Sequence, residues 1–165
     1  MKYRMAKVLI IDDEMQLRRL LSRIIGLEGY EVAEAADCAS EMKMLRQHEP
    51  DVVLCDVKLP DGSGVELVSR IKEAAPAVEV ILMTAYGNIP DGVQAIKNGA
   101  FDYITKGDDN NKILPLLSRA SEKAQMQRRL ARFEDKLSEE NSFDRVIGSS
   151  AALREAVELA RKVAV

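Results

Sequence analysis

The run Val52–Cys55, followed by Asp56, constrains the fold of this chain more than any other feature. Four consecutive apolar residues predict a short strand buried on both faces, because a half-exposed strand would alternate apolar and polar residues. A carboxylate at the end of such a strand must be hydrogen-bonded, paired, metal-bound or placed at the mouth of a site. The run therefore predicts a central parallel strand, with Asp56 either in a site or capping the next helix.

A second buried run, Lys7–Ile11, also ends in acids, namely Asp12, Asp13 and Glu14. Three aspartates at one edge of a sheet repel one another unless a divalent cation lies among them. Ligands that are all oxygen suit Mg²⁺, Mn²⁺ or Ca²⁺ better than zinc. Asp13 or Glu14 is alternatively the N-terminal charge of the next helix, which is compatible with metal binding by its neighbours.

Strand and helix patterns alternate over about the first 120 residues. The predicted strands are 7–11, 30–35, 52–55, 78–83 and 101–105, and helical stripes separate them. This alternation predicts an α/β domain with a doubly wound, five-stranded parallel sheet, followed by a long linker helix from about 112 to 140.

Sites in doubly wound sheets lie beyond the carboxyl ends of the strands. The residues at those ends are three acids, a hydroxyl and an ammonium: Asp12, Asp13, Asp56, Thr84 and Lys106. This set suits phosphoryl transfer onto a carboxylate: an aspartate is the nucleophile, and Lys106 and Thr84 bind phosphoryl oxygens. A carboxylate needs no catalytic base, because it is already deprotonated at pH 7.

Charge and hydropathy exclude some other classes of function. Residues 1–110 hold 13 Lys/Arg against 19 Asp/Glu, an acidic balance that does not favour a nucleic-acid surface. No run approaches the roughly 18 apolar residues of a membrane span. The N-terminus has no apolar signal core, so we expect a cytoplasmic protein without membrane contact.

Four motifs in order resemble the receiver domain of two-component response regulators. They are Ile10–Glu14, Cys55–Gly64, Met83–Gly87 and Gly99–Lys106, within a match of about residues 5–125. The resemblance implies a flavodoxin-like sheet of strand order 2-1-3-4-5. It also implies that a sensor histidine kinase is the phosphodonor and that the chain is no enzyme beyond catalysing its own phosphorylation and dephosphorylation.

The receiver resemblance also implies the metal site. Asp56 is then the phosphorylated residue and, with Asp13, a direct ligand of Mg²⁺. Asp12 holds the metal through water, and the backbone carbonyl of Lys58 completes the protein ligands.

The resemblance further implies a switch in which Thr84 supplies a hydroxyl and Tyr103 changes rotamer with it. Tyr103 is alternatively an ordinary aromatic residue of an edge strand. One departure is that Gly107 follows Lys106 where receivers usually have proline in a cis peptide, and acids follow it. Glycine has no comparably low cis cost, so we expect an altered loop after Lys106.

The tail from Phe143 to Ser150, with the helical run after it, resembles the opening of the AAA+ ATPase domain of sigma-54-dependent transcription activators. We therefore predict a receiver domain at 1–125, a helical linker at 126–141 and the start of an AAA+ domain at 142–165. The chain contains no G-x-x-x-x-G-K-[ST] phosphate loop. Contacts with sigma-54 RNA polymerase and DNA are accordingly expected only through domains absent here.

Two apolar stripes follow the linker helix at 4-3-4 spacing. The first is expected to pack on the sheet, with Pro115 tolerated because it falls in the first helical turn. The second is offset by about 100° around the helix and is expected to form a homodimer seam, or else to cover the ATPase domain. The stripes are Ile113, Leu117, Ala120 and Ala124, and then Met126, Leu130, Phe133 and Leu137.

Three rival functions share parts of this pattern. A flavodoxin-like cofactor binder needs hydroxyls and amides in its first loop, where Asp12 and Asp13 would repel a phosphate. A haloacid-dehalogenase-type phosphatase needs an acid two residues after its nucleophile, where Lys58 stands. A free-standing phosphorelay receiver without transcriptional output is the closest alternative, and residues 111–165 argue against it.

Overall fold

The computed structural model describes the backbone of residues 6–85, 89–106 and 110–147 and the side chains of 6–85, 90–106 and 111–137. The elements in chain order are β1 (Lys7–Ile11), α1 (Met15–Leu27), β2 (Glu31–Ala35), α2 (Cys38–His48), β3 (Val52–Asp56), β4 (Lys58–Leu59), β5 (Gly62–Ser63), α3 (Gly64–Ala74), β6 (Glu79–Thr84), α4 (Ile89–Lys97), β7 (Asp102–Thr105) and α5 (Asn110–Ile147).

Five of the strands form one parallel sheet in the order β2-β1-β3-β6-β7. The two-residue strands β4 and β5 form a separate antiparallel hairpin directly after Asp56. Counted without this hairpin, the order is 2-1-3-4-5, which confirms the predicted doubly wound, flavodoxin-like fold.

The central strand β3 is buried along its whole length, as its unbroken apolar run predicts. Its side chains alternate between two cores, because successive residues of a strand point to opposite faces of the sheet. One core contains Val53 and Cys55 beside α2 and α3, and the other contains Val52 and Leu54 beside α1 and α5. Helices therefore cover both faces of the sheet at β3.

The inward face of α2 differs from the sequence pattern. The periodicity favours Met42 and Leu45 as the buried pair, whereas the structure buries Glu41 with Leu45 and leaves Met42 half-buried. A hydrophobic pattern assigns only apolar residues to the core, so it could not predict that Glu41 is buried.

The helix α5 begins at Asn110, so Pro115 is its sixth residue and lies in the second turn. The prediction that Pro115 falls in the first turn is therefore wrong. The proline ring removes the hydrogen bond that residue 115 would donate to the carbonyl of Asn111. Burial of the first apolar stripe offsets this loss. All four of its residues are at most 6% exposed: Ile113, Leu117, Ala120 and Ala124.

The four residues of the second stripe are each more than half exposed: Met126, Leu130, Phe133 and Leu137. The chain divides into two compact units, Met1–Met126 and Gln127–Val165. The proposed linker and AAA+ boundaries stay predictions. Residues 142–147 continue the helix, and the rest of that tail, together with Gly107 and the two acids after it, lies outside the described residues.

Candidate functional site

The parallel strands bring the predicted site residues to one edge of the sheet. Pairing of Ile11 with Cys55 and of Thr84 with Thr105 places the carboxyl ends of four strands side by side. Asp12 and Asp13 follow β1, Asp56 and Thr84 end β3 and β6, and Lys106 follows β7. This edge opens into a cavity of about 270 Å³ whose lining includes Asp13, Asp56, Lys58, Thr84 and Lys106.

Backbone contacts hold the first loop in place. The Asp12 amide donates to the carbonyl of Ala35 at 3.1 Å, and the Asp12 carboxylate accepts from the Glu14 amide at 2.9 Å. Arg18 on α1 donates through Nη1 to the Asp12 carbonyl at 2.6 Å and through Nε to Glu34 at 3.0 Å. Asp12 is therefore fixed through both its main chain and its side chain.

Gly64 allows the chain to turn tightly after Asp56. A Cβ at position 64 would overlap the Asp56 carbonyl oxygen and lie only 3.1 Å from the Val57 Cα. The Gly64 amide donates to the Val57 carbonyl at 2.8 Å, which brings the start of α3 against the end of β3. Only glycine fits this close backbone approach.

Lys106 reaches across the cavity to two of the acids. Its Nζ donates to Asp12 Oδ2 at 2.7 Å and to Asp56 Oδ2 at 3.0 Å, and its side chain is largely buried. Burial acts to lower the pKa of Lys106, but the hydrogen bonds to Asp12 and Asp56 outweigh it and raise the pKa above its ordinary value. The ammonium is therefore held in its charged form beside the acids.

Burial raises the pKa of Asp56, and the Lys106 hydrogen bond and charge only partly oppose this effect. The charge of Asp12 acts in the same direction as burial, while the Lys58 amide, 3.3 Å from Asp56 Oδ1, stabilises the carboxylate. A positive charge brought close to Asp56 would therefore favour its ionised form.

The three aspartates form a group suited to a metal ion. Asp12, Asp13 and Asp56 each offer a carboxylate oxygen, and these oxygens lie within 4.8 Å of one another. Asp12 and Asp56 are buried and Asp13 is exposed, so the group lies between the core and solvent. An all-oxygen, triply acidic donor set fits a hard divalent cation such as Mg²⁺.

Thr84 is buried at the cavity and Tyr103 is half-buried on the neighbouring strand. The Tyr103 ring lies against α4, where a Cβ on Gly92 would be 3.4 Å from the ring. The Tyr103 hydroxyl is buried without a hydrogen-bond partner among the described residues. The structure thus places Thr84 at the cavity and Tyr103 on the neighbouring strand, against α4, and the coupling of these two predicted switch residues stays a prediction.

Two residues near the site were missed by sequence reasoning. Asp91, in the first turn of α4, lines the same cavity, and Arg18 holds the Asp12 carbonyl. The signal for Asp91 was its position, because the first turn of a helix that follows a parallel strand lies at the edge where the site forms. No sequence signal identifies Arg18, whose contact depends on the packing of α1.

The fold and this site define the class of protein. Residues 8–118 match the family model of the response regulator receiver domain, and the chain belongs to that family.

Similar proteins include the regulatory protein AtoC of Escherichia coli K12, 29% identical over 96% of this chain and 34% of that protein. The DNA-binding transcriptional regulator NtrC of Proteus hauseri is 35% identical over 90% of this chain and 31% of that protein. The chain thus spans about a third of the length of these curated relatives.

Solved structures with the same fold include the beryllofluoride-activated NtrC4 receiver domain dimer, with a TM-score of 0.68 and 33% identity. That match covers 72% of this chain and 98% of the other. A receiver domain protein from Methanospirillum hungatei matches with a TM-score of 0.70 and 26% identity, over 75% of this chain and 99% of the other. No helix in the described part of the chain has the length and apolar character needed to cross a membrane.

Proposed function

We propose that this receiver accepts a phosphoryl group from a sensor histidine kinase onto Asp56, with Mg²⁺ as cofactor. The observation that carries the proposal is the cluster of Asp12, Asp13 and Asp56 beside an open cavity, with the Lys106 ammonium bound to two of these acids. Such a cavity admits a phosphoryl group and places a nucleophile beside cationic and hydroxyl groups.

In this reaction an Asp56 oxygen forms a bond to phosphorus while the bond from phosphorus to the kinase histidine nitrogen breaks. Lys106 pairs with one phosphoryl oxygen, and the Thr84 hydroxyl donates to another. Asp13 and Asp56 would hold Mg²⁺ directly, Asp12 through water, and the Lys58 carbonyl as a further ligand. When bound there, Mg²⁺ would neutralise phosphoryl charge and favour in-line attack.

The chain acts on no other substrate in this proposal, since the acyl phosphate forms on its own side chain. Thr84 engages the phosphoryl group and Tyr103 changes rotamer in response. In the longer protein, phosphorylation controls a sigma-54-dependent AAA+ transcription activator through a dimerising linker. The NtrC relative, a DNA-binding transcriptional regulator, supports a transcriptional output, and the NtrC4 receiver dimer supports association.

The acceptor is tested by incubating the chain with Mg²⁺ and acetyl phosphate and measuring its intact mass. We expect one base-labile phosphoryl group in the wild type and in Asp102→Asn, and none in Asp56→Asn. Asp102 is the matched control because it begins β7, at the opposite edge of the sheet. Chelation of the metal should also abolish labelling. Equal labelling of Asp56→Asn would refute the assignment.

A further inference from the structure

Glu41 occupies a core position on α2 that a receiver site does not require. Its side chain is 0% exposed, and it shares the inward face of the helix with Leu45. A first-turn glutamate ordinarily points to solvent, where the helix N-terminus stabilises its charge. Here the carboxyl group instead faces the core that contains Cys55 and Leu45.

The surroundings of the Glu41 carboxyl group that the structure describes offer little compensation for its burial. Neither of its oxygens has a hydrogen-bond partner among the described residues. The charged and titratable groups facing it are Arg70 on α3, Cys38 on α2 and Cys55 on β3. Burial raises the pKa of Glu41 from 4.5 to about 7, and the exposed Arg70 opposes this only in part. Both thiols have raised pKa values because of burial, so they stay neutral and neither offset nor add to the charge of Glu41.

The start of α2 is tied to the hairpin that follows the phosphoacceptor. Asp61 lies in the turn between β4 and β5, and its carboxylate accepts from the amides of Cys38 at 2.8 Å and Ala39 at 3.1 Å. The Cys38 sulfur would lie 3.1 Å from a Cβ on Gly62, in the same hairpin. Packing of α2 and the position of the hairpin are therefore mechanically linked.

We propose that Glu41 is a buried proton-binding residue that makes the packing of α2 against the β4–β5 hairpin sensitive to pH near neutrality. When Glu41 is protonated, the group is neutral and α2 packs without a buried charge. Loss of the proton leaves an unpaired carboxylate in the core, which is costly and favours opening of α2 towards water.

The sign of the effect follows from proton linkage. Below the unfolded pKa of 4.5 both states bind the proton, so Glu41 adds no pH dependence. Between 4.5 and about 7 the folded state keeps a proton that the unfolded state releases, so stability falls as pH rises. Above about pH 7 both states have released the proton, so the loss of stability is complete. We expect the unfolding equilibrium constant to rise on the order of 100-fold from this group.

A titration of the wild-type chain tests the proposal directly. Carboxyl-detected NMR of the full chain with ¹³C-labelled glutamate, assigned through Glu41→Gln, should show Glu41 titrating with a midpoint near 7. A Glu41 midpoint near 4.5 would overturn the proposal.

A second test compares unfolding of the wild type, Glu41→Gln and Glu73→Gln in urea from pH 5 to 8.5. Glutamine preserves the shape of glutamate but does not titrate. The ratio of the wild-type unfolding constant to that of Glu41→Gln should rise on the order of 100-fold over this range. Glu73→Gln should parallel the wild type. Parallel curves for wild type and Glu41→Gln would contradict the inference.

Amide hydrogen exchange tests the link to the hairpin. At pH 8 the amides of Cys38 and Ala39 should exchange faster in the wild type than in Glu41→Gln, because the charged carboxylate loosens α2. At pH 5.5 the two proteins should exchange alike at these positions. Equal exchange at pH 8 would disprove the coupling between Glu41 and the hairpin.

Discussion

At the scale of single residues, the site contains buried acids and a largely buried lysine whose opposite charges stabilise each other. Neither charge would be stable there alone. Asp12 is fully buried and Asp56 nearly so, and Lys106 contacts both. A buried carboxylate that loses its cation is strongly destabilised, because its charge remains in a region of low dielectric constant. The contribution of Lys106 to stability is therefore measurable separately from its proposed contact with phosphate.

Replacing Lys106 with methionine should destabilise the metal-free chain by about 3 kcal/mol, because Asp12 and Asp56 lose their shared cation. Mg²⁺ should then stabilise the variant more than the wild type, since the unneutralised acids attract it more strongly. Urea unfolding in EDTA and in Mg²⁺ measures both effects. Lys97→Met, on the exposed face of α4, is the control and should respond to Mg²⁺ as the wild type does. An equal magnesium response in Lys106→Met would count against the shared site.

Gly64→Ala should destabilise the chain by about 3 kcal/mol, because the added methyl would overlap the Asp56 carbonyl. It should also slow phosphorylation by displacing the nucleophile. Gly26→Ala, inside α1, is the matched control, because a Cβ at position 26 would meet no atom within 4 Å. That change should stabilise by about 0.5–1 kcal/mol. Thermal unfolding measures both, and a neutral Gly64→Ala would show that the turn is more adaptable than its geometry indicates.

At the scale of elements, apolar runs predict strands better than helical stripes predict buried faces. β1 and β3 coincide with their runs because strands buried on both faces exclude polar residues. In α1, by contrast, five apolar residues recur at helical spacing, and the structure buries only Leu21 and Ile25 while exposing Leu20 and Ile24. The apolar stripe of α1 is wider than the surface of the helix that packs against the core. The pattern therefore predicts the helix, but it does not predict which side of the apolar stripe packs against the core.

The two stripes of α5 should respond differently to truncation. Leu117→Ala should destabilise the chain by about 2–5 kcal/mol, because Leu117 is fully buried against the sheet. Leu130→Ala should change the stability of a dilute sample by less than about 0.5 kcal/mol, since Leu130 is 58% exposed. Urea unfolding at submicromolar concentration makes the comparison. A large loss in Leu130→Ala would reveal an intramolecular contact for the second stripe.

At the scale of the whole molecule, the candidate site could be predicted because topology dictates its position. Once the strands are parallel, Asp12, Asp56, Thr84 and Lys106 must share an edge, whatever their separation in the chain. The bonds within that edge could not be predicted. Which acids Lys106 contacts, and that Arg18 holds the Asp12 carbonyl, depend on side-chain packing.

In the proposed function, association of whole chains links phosphorylation to a transcriptional output. Met126, Leu130, Phe133 and Leu137 form a seam of about three helical turns, which is short for a coiled coil. The Val93–Tyr103 face of the receiver, on which Val93 and Ile96 are exposed, is therefore expected to contribute. Light scattering at tens of micromolar should give a dimer for the full chain and a monomer for a version ending at Ala124. Removal of the apolar seam is the reason for the difference. If both are monomers, or both are equally dimeric, the linker is not the dimer seam.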